Sequence, residues 1–515
     1  MNIRPEVKTV FDLLHKPQPE PPSGELIQVS TATKHIAFAY ERFRNTLEPE
    51  EEDILRRKAI YRILERRLFE DHPTVTIATS LIQELIRGNY IKPAPQELAI
   101  RLGTLLKKAR QVTAELDSPL KEWWLQLVTV AIDRELFPRE HEEALVHLMY
   151  HDSTQRAEWA GHLLPEDERP VQLYLGCHRT LFAADDNELM HHYFVHQFPA
   201  WSKPQLSSVE LSELIGKLPD FYHKIQQAVG HSARDRLTRL VRPVAIPYLV
   251  LREIITRNGP NAFAAESELE EAARDAIAAR IQHTRSRMSK RAWHSILFLF
   301  FTKIIIAVLL EFPYESLVLG EVHYLALATN IAFHPLLLFS LATFTRMPGA
   351  ANTDRIVEQV KKIISGEGTL PTVVLSAPRR YGTVTWSLFA IVYVILFMLI
   401  FWGIFTLLEK LGFSLLAMFL FIVFLGLVSF LSTRIRRSAD DLRTVPRREG
   451  AISAIVSFLS LPVLEFGRWL AQNIRQINVV LFLMDRVLEA PFKLLIDIAE
   501  EWFTFVRDRR EEIVE

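Results

Sequence analysis

Two long apolar runs without a charged residue, 383–408 and 412–432, lie in the C-terminal part of this chain. A helix needs about 20 mostly apolar residues to cross the hydrocarbon core of a bilayer, and each run is long enough. Only residues 409–411 separate them, so the two helices are expected to be antiparallel neighbours. The pattern predicts an integral membrane protein.

Two weaker apolar segments precede this pair, at 292–310 and 322–345. The first contains Lys303, and the second contains Asn330 and His334. A lysine at the centre of a spanning helix costs about 2.5–3.5 kcal/mol, which the surrounding apolar side chains offset. We predict four spans, with two spans as the alternative, because three would invert the stronger pair and its basic flanks.

Lysine and arginine are concentrated on one side of this four-span arrangement. The segments 284–291, 346–382 and 433–448 carry four, six and six of them, whereas 311–321 carries none and 409–411 carries one. Because cytosolic loops are enriched in Lys and Arg, the positive-inside rule places both termini in the cytosol. The expected location is the plasma or inner membrane, as a multi-pass protein. A secretory signal is not expected, since the first residues lack an apolar core.

Residues before the spans are charge-rich and have helical periodicity throughout. We predict an all-α fold with four regions: an arm and Pro-rich linker (1–24), a cytosolic all-α domain (25–291), a transmembrane region (292–432), and a basic flank with an amphipathic helical tail (433–515). The cytosolic helices are expected near 53–69, 75–88, 96–116, 119–134, 139–150, 154–163, 187–197, 206–228, 232–256 and 264–290.

Two further amphipathic patterns lie outside the cytosolic domain. Inside the third basic segment, an apolar stripe over 356–364 predicts a helix that Asn352 or Thr353 caps and Gly366 ends. In the tail, an interrupted apolar segment at 451–472 and a long stripe at 477–506 predict helices that lie on the membrane surface or dock on the cytosolic domain.

Lys303 and His334 are candidate functional residues because of their depth. Each lies about 11 residues, or ~16 Å, from the cytosolic end of its span, so the two side chains are expected at one level. Asn330 lies one turn further along. Polar groups at this depth usually face a bundle interior and pair, which suggests a proton- or ion-responsive site. The alternative is that Lys303 snorkels and His334 satisfies a backbone group freed by Pro335.

Histidine spacing offers a weaker candidate for a metal site. His147 and His151 are four residues apart, as are His192 and His196, and Glu188 lies one turn before the second pair. Such spacing places side chains on one helix face, where they could ligate a metal. The sequence contains no HExxH motif, so structural or surface histidines are the preferred interpretation and no metal site is predicted.

A basic cluster in the first long helix is a candidate for phosphate contacts. We interpret it as a solvated helix face whose cations pair with nearby acids. Aromatic residues do not interleave with it as they do in single-strand binders, so nucleic acid is not an expected partner. The cluster consists of Arg56, Arg57, Lys58, Arg62, Arg66 and Arg67, and the expected partners are Glu50, Glu51, Glu52, Asp53 and Glu65.

No motif for nucleotide, acyl-enzyme or redox chemistry is present, and Cys177 is the only cysteine. No catalytic residue or cofactor is therefore assigned, and enzyme activity is not favoured. The expected function is a membrane-anchored scaffold or adaptor, with the bilayer and proteins bound by the cytosolic domain as partners and with an oligomer possible. One alternative is a transporter or channel subunit with a polar path, and another is an interfacial enzyme acting on lipid.

Overall fold

A computed structural model describes residues 3–15, 26–27, 29, 52–161, 163–345, 347–377, 382–444 and 451–474. Sixteen α-helices account for most of these residues, which confirms the predicted all-α fold. In the N-terminal half they are α1 (Pro5–Leu14), α2 (Glu52–Arg67), α3 (Thr74–Arg87), α4 (Gln96–Thr113), α5 (Leu120–Leu136), α6 (Glu140–Arg156), α7 (Arg169–Phe182), α8 (Asp186–Gln197), α9 (Ser208–Val229) and α10 (Arg234–Asn258). In the C-terminal half they are α11 (Glu266–Ile306), α12 (Tyr324–Thr343), α13 (Ala350–Ser365), α14 (Thr383–Lys410), α15 (Leu415–Asp440) and α16 (Ala451–Ile474).

Four short strands occur among the described residues. β1 (Leu26–Ile27) pairs antiparallel with β2 (Ala94–Pro95), and β3 (Ala157–Ala160) pairs in parallel with β4 (Val373–Ser376). The helix predicted at 154–163 is therefore wrong, because α6 ends at Arg156 and the chain then forms β3.

The sequence did not predict α7, although its ends carry ordinary helix signals. Pro170 lies in its first turn, and Ala183 follows it with a left-handed backbone. Its apolar residues Val171, Leu173 and Leu175 alternate with polar ones, a spacing typical of a strand. The missed helix positions the buried side chains of Cys177 and His178.

The chain folds into two compact units. The helical unit comprises the described residues within 9–154 and 164–238, and the membrane unit comprises those within 1–8, 155–163 and 239–477. The predicted boundary at residue 291 lies inside α11, which runs unbroken for 41 residues.

The core of the helical unit is built around Trp124, which is fully buried. Its ring packs edge-on against Phe194 and Trp201, with centroids 5.6 Å and 5.0 Å away. Edge-to-face pairs of this kind add about 0.5–1.5 kcal/mol each beyond the burial of area. They tie α5 to α8 and to the 3₁₀ turn Pro199–Ser202.

The basic cluster of α2 is not the solvated face that we predicted. Arg56 and Arg57 are 4% and 7% exposed, and they pair with Asp133 of α5 and Asp185 before α8 at 2.6 Å each. Charges this deeply buried remain only when they are paired and hydrogen-bonded. Arg56 also pairs with Asp53 at 3.0 Å, as predicted. The cluster nevertheless joins helices, since Asp133 and Asp185 lie elsewhere in the chain.

Four helical segments of the membrane unit are long and apolar enough to cross a bilayer, as the sequence predicts. They are Glu266–Leu319, Tyr324–Thr343, Thr383–Lys410 and Leu415–Asp440. The first exceeds its predicted end because π-helical turns at Ala307–Glu311 and Tyr314–Leu319 follow α11. Residues 311–321, predicted as an external loop, are therefore mostly helical.

The two amphipathic segments predicted after the N-terminal domain differ in part from the prediction. Gly366, with φ +70°, ends α13 as expected, but neither predicted cap is used: extended Gly349 precedes the helix. The Asn352 side chain instead accepts from the backbone N–H of Thr444 at 3.0 Å. α16 packs against the candidate spans α14 and α15. The stripe at 477–506 lies outside the described residues.

Candidate intramembrane site

One face of α12 carries the polar residues of the candidate site. Ala326, Asn330, His334 and Leu338 recur every four residues, and all are at most 2% exposed. Residues at this spacing lie above one another on a helix. Lys303 is fully buried on α11, the helix against which α12 packs. The structure thus brings together all three residues that the sequence singled out: Lys303, Asn330 and His334.

Asn330 bridges a lysine and a carboxylate. The Lys303 Nζ donates to Asn330 Oδ1 at 2.7 Å, and Asn330 Nδ2 donates to both carboxylate oxygens of Glu311 at 2.8 Å. This amide orientation is the one that serves both neighbours, because an ammonium only donates and a carboxylate only accepts. Lys303 also lies 4.3 Å from the centre of the Phe424 ring. We call Lys303, Glu311, Asn330 and His334 the polar network.

The predicted alternative for Lys303 is wrong in this structure. A snorkelling lysine places its ammonium in the headgroup region, whereas Lys303 is 0% exposed and bonds inside the bundle. Asn330 and Glu311 are equally inaccessible. The bonds between these side chains hold the turn after α11 against α12.

His334 connects α12 to a third candidate span. Its Nε2 lies 3.0 Å from the carbonyl oxygen of Phe421 on α15, and its Nδ1 lies 3.2 Å from the carbonyl oxygen of Asn330. Because Pro335 lacks an N–H, the carbonyl that it frees is that of Ile331, four residues earlier. Both ring nitrogens therefore face carbonyls other than that of Ile331, and an imidazole with one ring proton donates to one of the two. This differs from the predicted alternative.

Sequence reasoning missed Glu311, the carboxylate of the polar network. In a regular α-helix the eight residues from Lys303 to Glu311 leave the two side chains about 80° apart around the axis. The π-helical turn Ala307–Glu311 is wider and rotates Glu311 back toward the lysine. The available signal was chemical: a buried lysine requires an anion, and Glu311 is the next acidic residue in the chain.

Glu315 is also buried, at 1% exposure, although the sequence placed it in an external loop. Its carboxylate accepts from the backbone N–H of His323 at 3.1 Å. This bond closes the connection between the π-helical turns and α12. The two acidic residues Glu311 and Glu315 therefore fold inward instead of facing solvent.

Of the four histidines in the predicted pairs, His147, His151 and His196 are exposed and His192 is buried. His192 meets two residues from other helices. Its Nδ1 lies 2.8 Å from Glu143 on α6, and His178 Nε2 on α7 lies 3.8 Å from the same carboxylate.

The geometry of this second cluster does not fit a metal ion. The rings of His178 and His192 are stacked, with centroids 4.1 Å apart and planes 29° apart. Lone pairs lie in the ring planes, so those of stacked rings run side by side and do not converge. The Arg134 guanidinium also meets His192 Nε2. That nitrogen must accept, which leaves the ring proton on Nδ1, facing Glu143.

Burial lowers the pKa of His178 and His192 well below the usual range, and the positive charge of Arg134 lowers it further. Both rings are therefore neutral at neutral pH. His192 contacts Glu143 and Arg134 through its two ring nitrogens, and His178 stacks on the His192 ring inside the helical unit.

The polar network is the arrangement of side chains that most distinguishes the membrane unit, because it combines opposite charges with complete burial. Buried ionisable groups in spanning helices usually mark function or hold helices together. No family model, curated protein or solved structure matches this chain.

Proposed function

We propose that this protein is a membrane-anchored scaffold, in which the spans hold the chain in the bilayer and the helical unit binds protein partners. The observation that supports this proposal is the closure of the polar network. Lys303, Glu311, Asn330 and His334 are each 0% exposed, and each has hydrogen-bond partners inside the bundle. Such a network fixes helices against one another, and none of its four side chains is accessible to solvent.

Scattered apolar side chains on the helical unit are the natural starting points for partner binding. Ile100 on α4 is 55% exposed and Val75 on α3 is 40% exposed. Gly103, one turn after Ile100, lies directly against Val75, so these side chains belong to one region of the surface. Burial of apolar surface is the dominant favourable term in most protein–protein association.

A photo-crosslinking experiment in native membranes tests the scaffold proposal. One variant carries a photoreactive residue at position 100 in place of Ile100. A second variant carries it at position 209 in place of Val209, which is exposed on α9. We expect Ile100 to yield a discrete adduct with another protein that the change Val75→Glu removes. Absence of a discrete adduct from both positions would contradict partner binding by this unit.

A transporter is the second candidate, and the opposite charges of Lys303 and Glu311 favour it. In this alternative the polar network belongs to a transport path that is closed in this structure. Lys303→Met leaves Glu311 buried without its cation, which costs about 3–5 kcal/mol, whereas the double change with Glu311→Gln removes both charges. A scaffold tolerates the double change and retains partner binding.

Reconstituted vesicles distinguish the two candidates. For a scaffold we expect proton and potassium flux equal to that of empty vesicles, in the wild type and in the double variant. Flux in the wild type that the double variant loses while remaining folded would establish transport. The double variant is the matched control because it separates loss of charge from loss of structure.

A further inference from the structure

A cavity of about 630 Å³ opens between the basic ends of three candidate spans. Its walls come from α11, from the end of α12 and from α15. Trp293 lies at its rim, 53% exposed, with its ring 6.2 Å from that of Phe339. Tryptophan is enriched at the membrane–water interface, where its amphipathic ring is stable. The cavity is therefore placed where headgroups meet acyl chains.

The α11 wall changes from polar to apolar along its length. Arg285, Ser289, Trp293 and Ile296 line the cavity in this order. Their spacing keeps them on one helix face over about 16 Å. This length covers a phospholipid headgroup and the first part of its chains, with the cation at the headgroup level and the apolar side chains below.

The cations at this end of α11 have no protein partners among the described residues. Earlier on the same helix, Arg274 pairs with Glu270 at 3.0 Å and with Asp354 at 2.8 Å, and Arg280 lies 3.7 Å from Glu253. From Arg285 onward, by contrast, no cation before the apolar segment forms an ion pair with a described residue. These unpaired cations are Arg285, Arg287, Lys290 and Arg291.

We propose that this cavity binds one anionic glycerophospholipid, with its phosphate beside Arg285 and Ser289 and its acyl chains against Trp293, Ile296 and Phe339. Charge complementarity supports an anionic ligand, since an unpaired arginine at the rim is available to bind a phosphate bidentately. Basic pockets between spanning helices are known to hold such headgroups. The proposal requires that the spans cross a bilayer, but it does not depend on a protein partner.

Native mass spectrometry of the full chain in detergent tests the site. The probes are dioleoyl phosphatidylglycerol and dioleoyl phosphatidylcholine in equal amounts, and the measurement is the ratio of their one-lipid adducts. We expect the wild type to prefer phosphatidylglycerol. Arg285→Gln should weaken that preference about fivefold, the effect of one basic residue near an anionic membrane surface.

Arg287→Gln is the matched control. Arg287 is exposed and unpaired like Arg285, but it does not belong to the cavity lining. We expect the Arg287→Gln variant to prefer phosphatidylglycerol as strongly as the wild type does. An equal loss in both variants would show diffuse attraction to surface charge and would overturn the proposal.

Two further arms test the acyl-chain contacts and the source of the phosphate. Ala342→Phe fills the apolar part of the cavity and should reduce binding of both lipids; unreduced binding in the folded variant would overturn the placement of the chains. If that variant does not fold, the Arg285 and Arg287 pair still decides the proposal.

Competition by millimolar glycerol 3-phosphate would show a site for soluble phosphate and would overturn the lipid assignment. Partner crosslinking at Ile100 should be unaffected by Arg285→Gln, which separates this proposal from the scaffold.

Discussion

At the scale of single residues, buried charges in the helical unit are shared among several helices. Asp133 is 1% exposed and accepts from Arg56 at 2.6 Å, and Arg57 and Arg139 each lie 3.7 Å from its other oxygen. A carboxylate with three neighbouring cations compensates the burial of the arginines. Its removal takes from the buried Arg56 its nearest anion and leaves that arginine with Asp53, which is 3.0 Å away and half-exposed.

Asp133→Asn is therefore expected to destabilise the helical unit by about 3–5 kcal/mol, the usual effect of breaking a buried ion pair from one side. The matched control is Glu135→Gln on the same helix. Glu135 pairs with Arg101 at the same distance, 2.6 Å, but the two side chains are 39% and 57% exposed. Exposed pairs contribute about 0–1 kcal/mol. Chemical denaturation measures both changes, and equal effects would contradict the role of burial.

Three neighbouring histidines make the stability of the helical unit depend on pH. Burial lowers the pKa of His178, His191 and His192 well below the usual 6.5, and the Arg134 charge adds to the effect. In the unfolded chain these histidines take up protons as the pH falls through about 6.5. In the folded chain they stay neutral to a lower pH. Stability is therefore fully present above pH 6.5 and is lost as the pH falls, by up to about 1.4 kcal/mol per unit for each histidine.

Denaturation at pH 7.0 and pH 5.5, with chelator present, measures this dependence. His191→Gln removes one of the three histidines that take up a proton on unfolding, so it should reduce the loss of stability between the two pH values. His223→Gln, an exposed histidine on α9, should leave it as in the wild type. If the pH dependence of stability were unchanged in His191→Gln, this would contradict its assignment to the buried histidines.

Residue chemistry was partly predictable from the sequence. Helix rise alone placed Lys303 and His334 at one depth, and the structure does bring them to one bundle interior together with Asn330. Partners on distant segments were not predictable, because the charge pattern of α2 is the same whether Arg57 faces water or Asp185.

At the scale of elements, helices with clear periodicity were predicted to within a few residues, and the exceptions have local causes. The alternating apolar residues of α7 imitate a strand, and the π-helical turns after α11 have no periodic signature in the sequence. The packing of α16 was also not expected, since Pro462, Glu465 and Arg468 interrupt its apolar pattern. Two glycines explain how it approaches α15.

Gly426 of α15 and Gly467 of α16 bring two backbones into close contact. A Cβ atom added at Gly467 would overlap the backbone carbonyl of Gly426, which cannot move aside as a side chain can. Small residues allow this approach between helices in membranes. Gly467→Val should therefore separate α16 from α15 and destabilise the membrane unit by about 1–3 kcal/mol, the range for overpacked sites.

Thermal unfolding in detergent, followed by the fraction that remains monodisperse, measures the effect of Gly467→Val. Gly403→Val is the control, because Gly403 lies on α14 with open space where its Cβ would be. The control should unfold at the wild-type temperature. A wild-type midpoint for Gly467→Val would contradict the close contact.

At the scale of the whole molecule, the number of candidate spans followed from composition, but the number and extent of the compact units did not. Apolar runs of sufficient length are recognisable directly in the sequence, and four described segments are long and apolar enough to span. The membrane unit also recruits residues 155–163 and 239–291, which have an ordinary soluble composition. Their assignment depends on pairings such as β3 with β4, which join segments more than 200 residues apart.

The orientation of the spans is the remaining prediction at this scale, and it rests on the basic segments. Single cysteines can report it in a Cys177→Ala background, since Cys177 is buried and free of disulfide bonds. The exposed positions Lys410, Glu367 and Arg437 lie in the short hairpin, the third basic segment and the last flank. With intact cells and a membrane-impermeant maleimide, we expect labelling at position 410 alone. After permeabilisation all three positions should react.

This pattern follows from the cost of moving arginine across a bilayer. The hairpin 409–411 carries one cation, whereas the segments that contain Glu367 and Arg437 carry six each, and basic loops are retained in the cytosol. Labelling of Glu367→Cys from outside would show that the protein has the opposite orientation. The cavity beside Arg285 would then face the outer leaflet, where anionic lipid is scarce, so the same experiment also constrains the lipid that this site can meet.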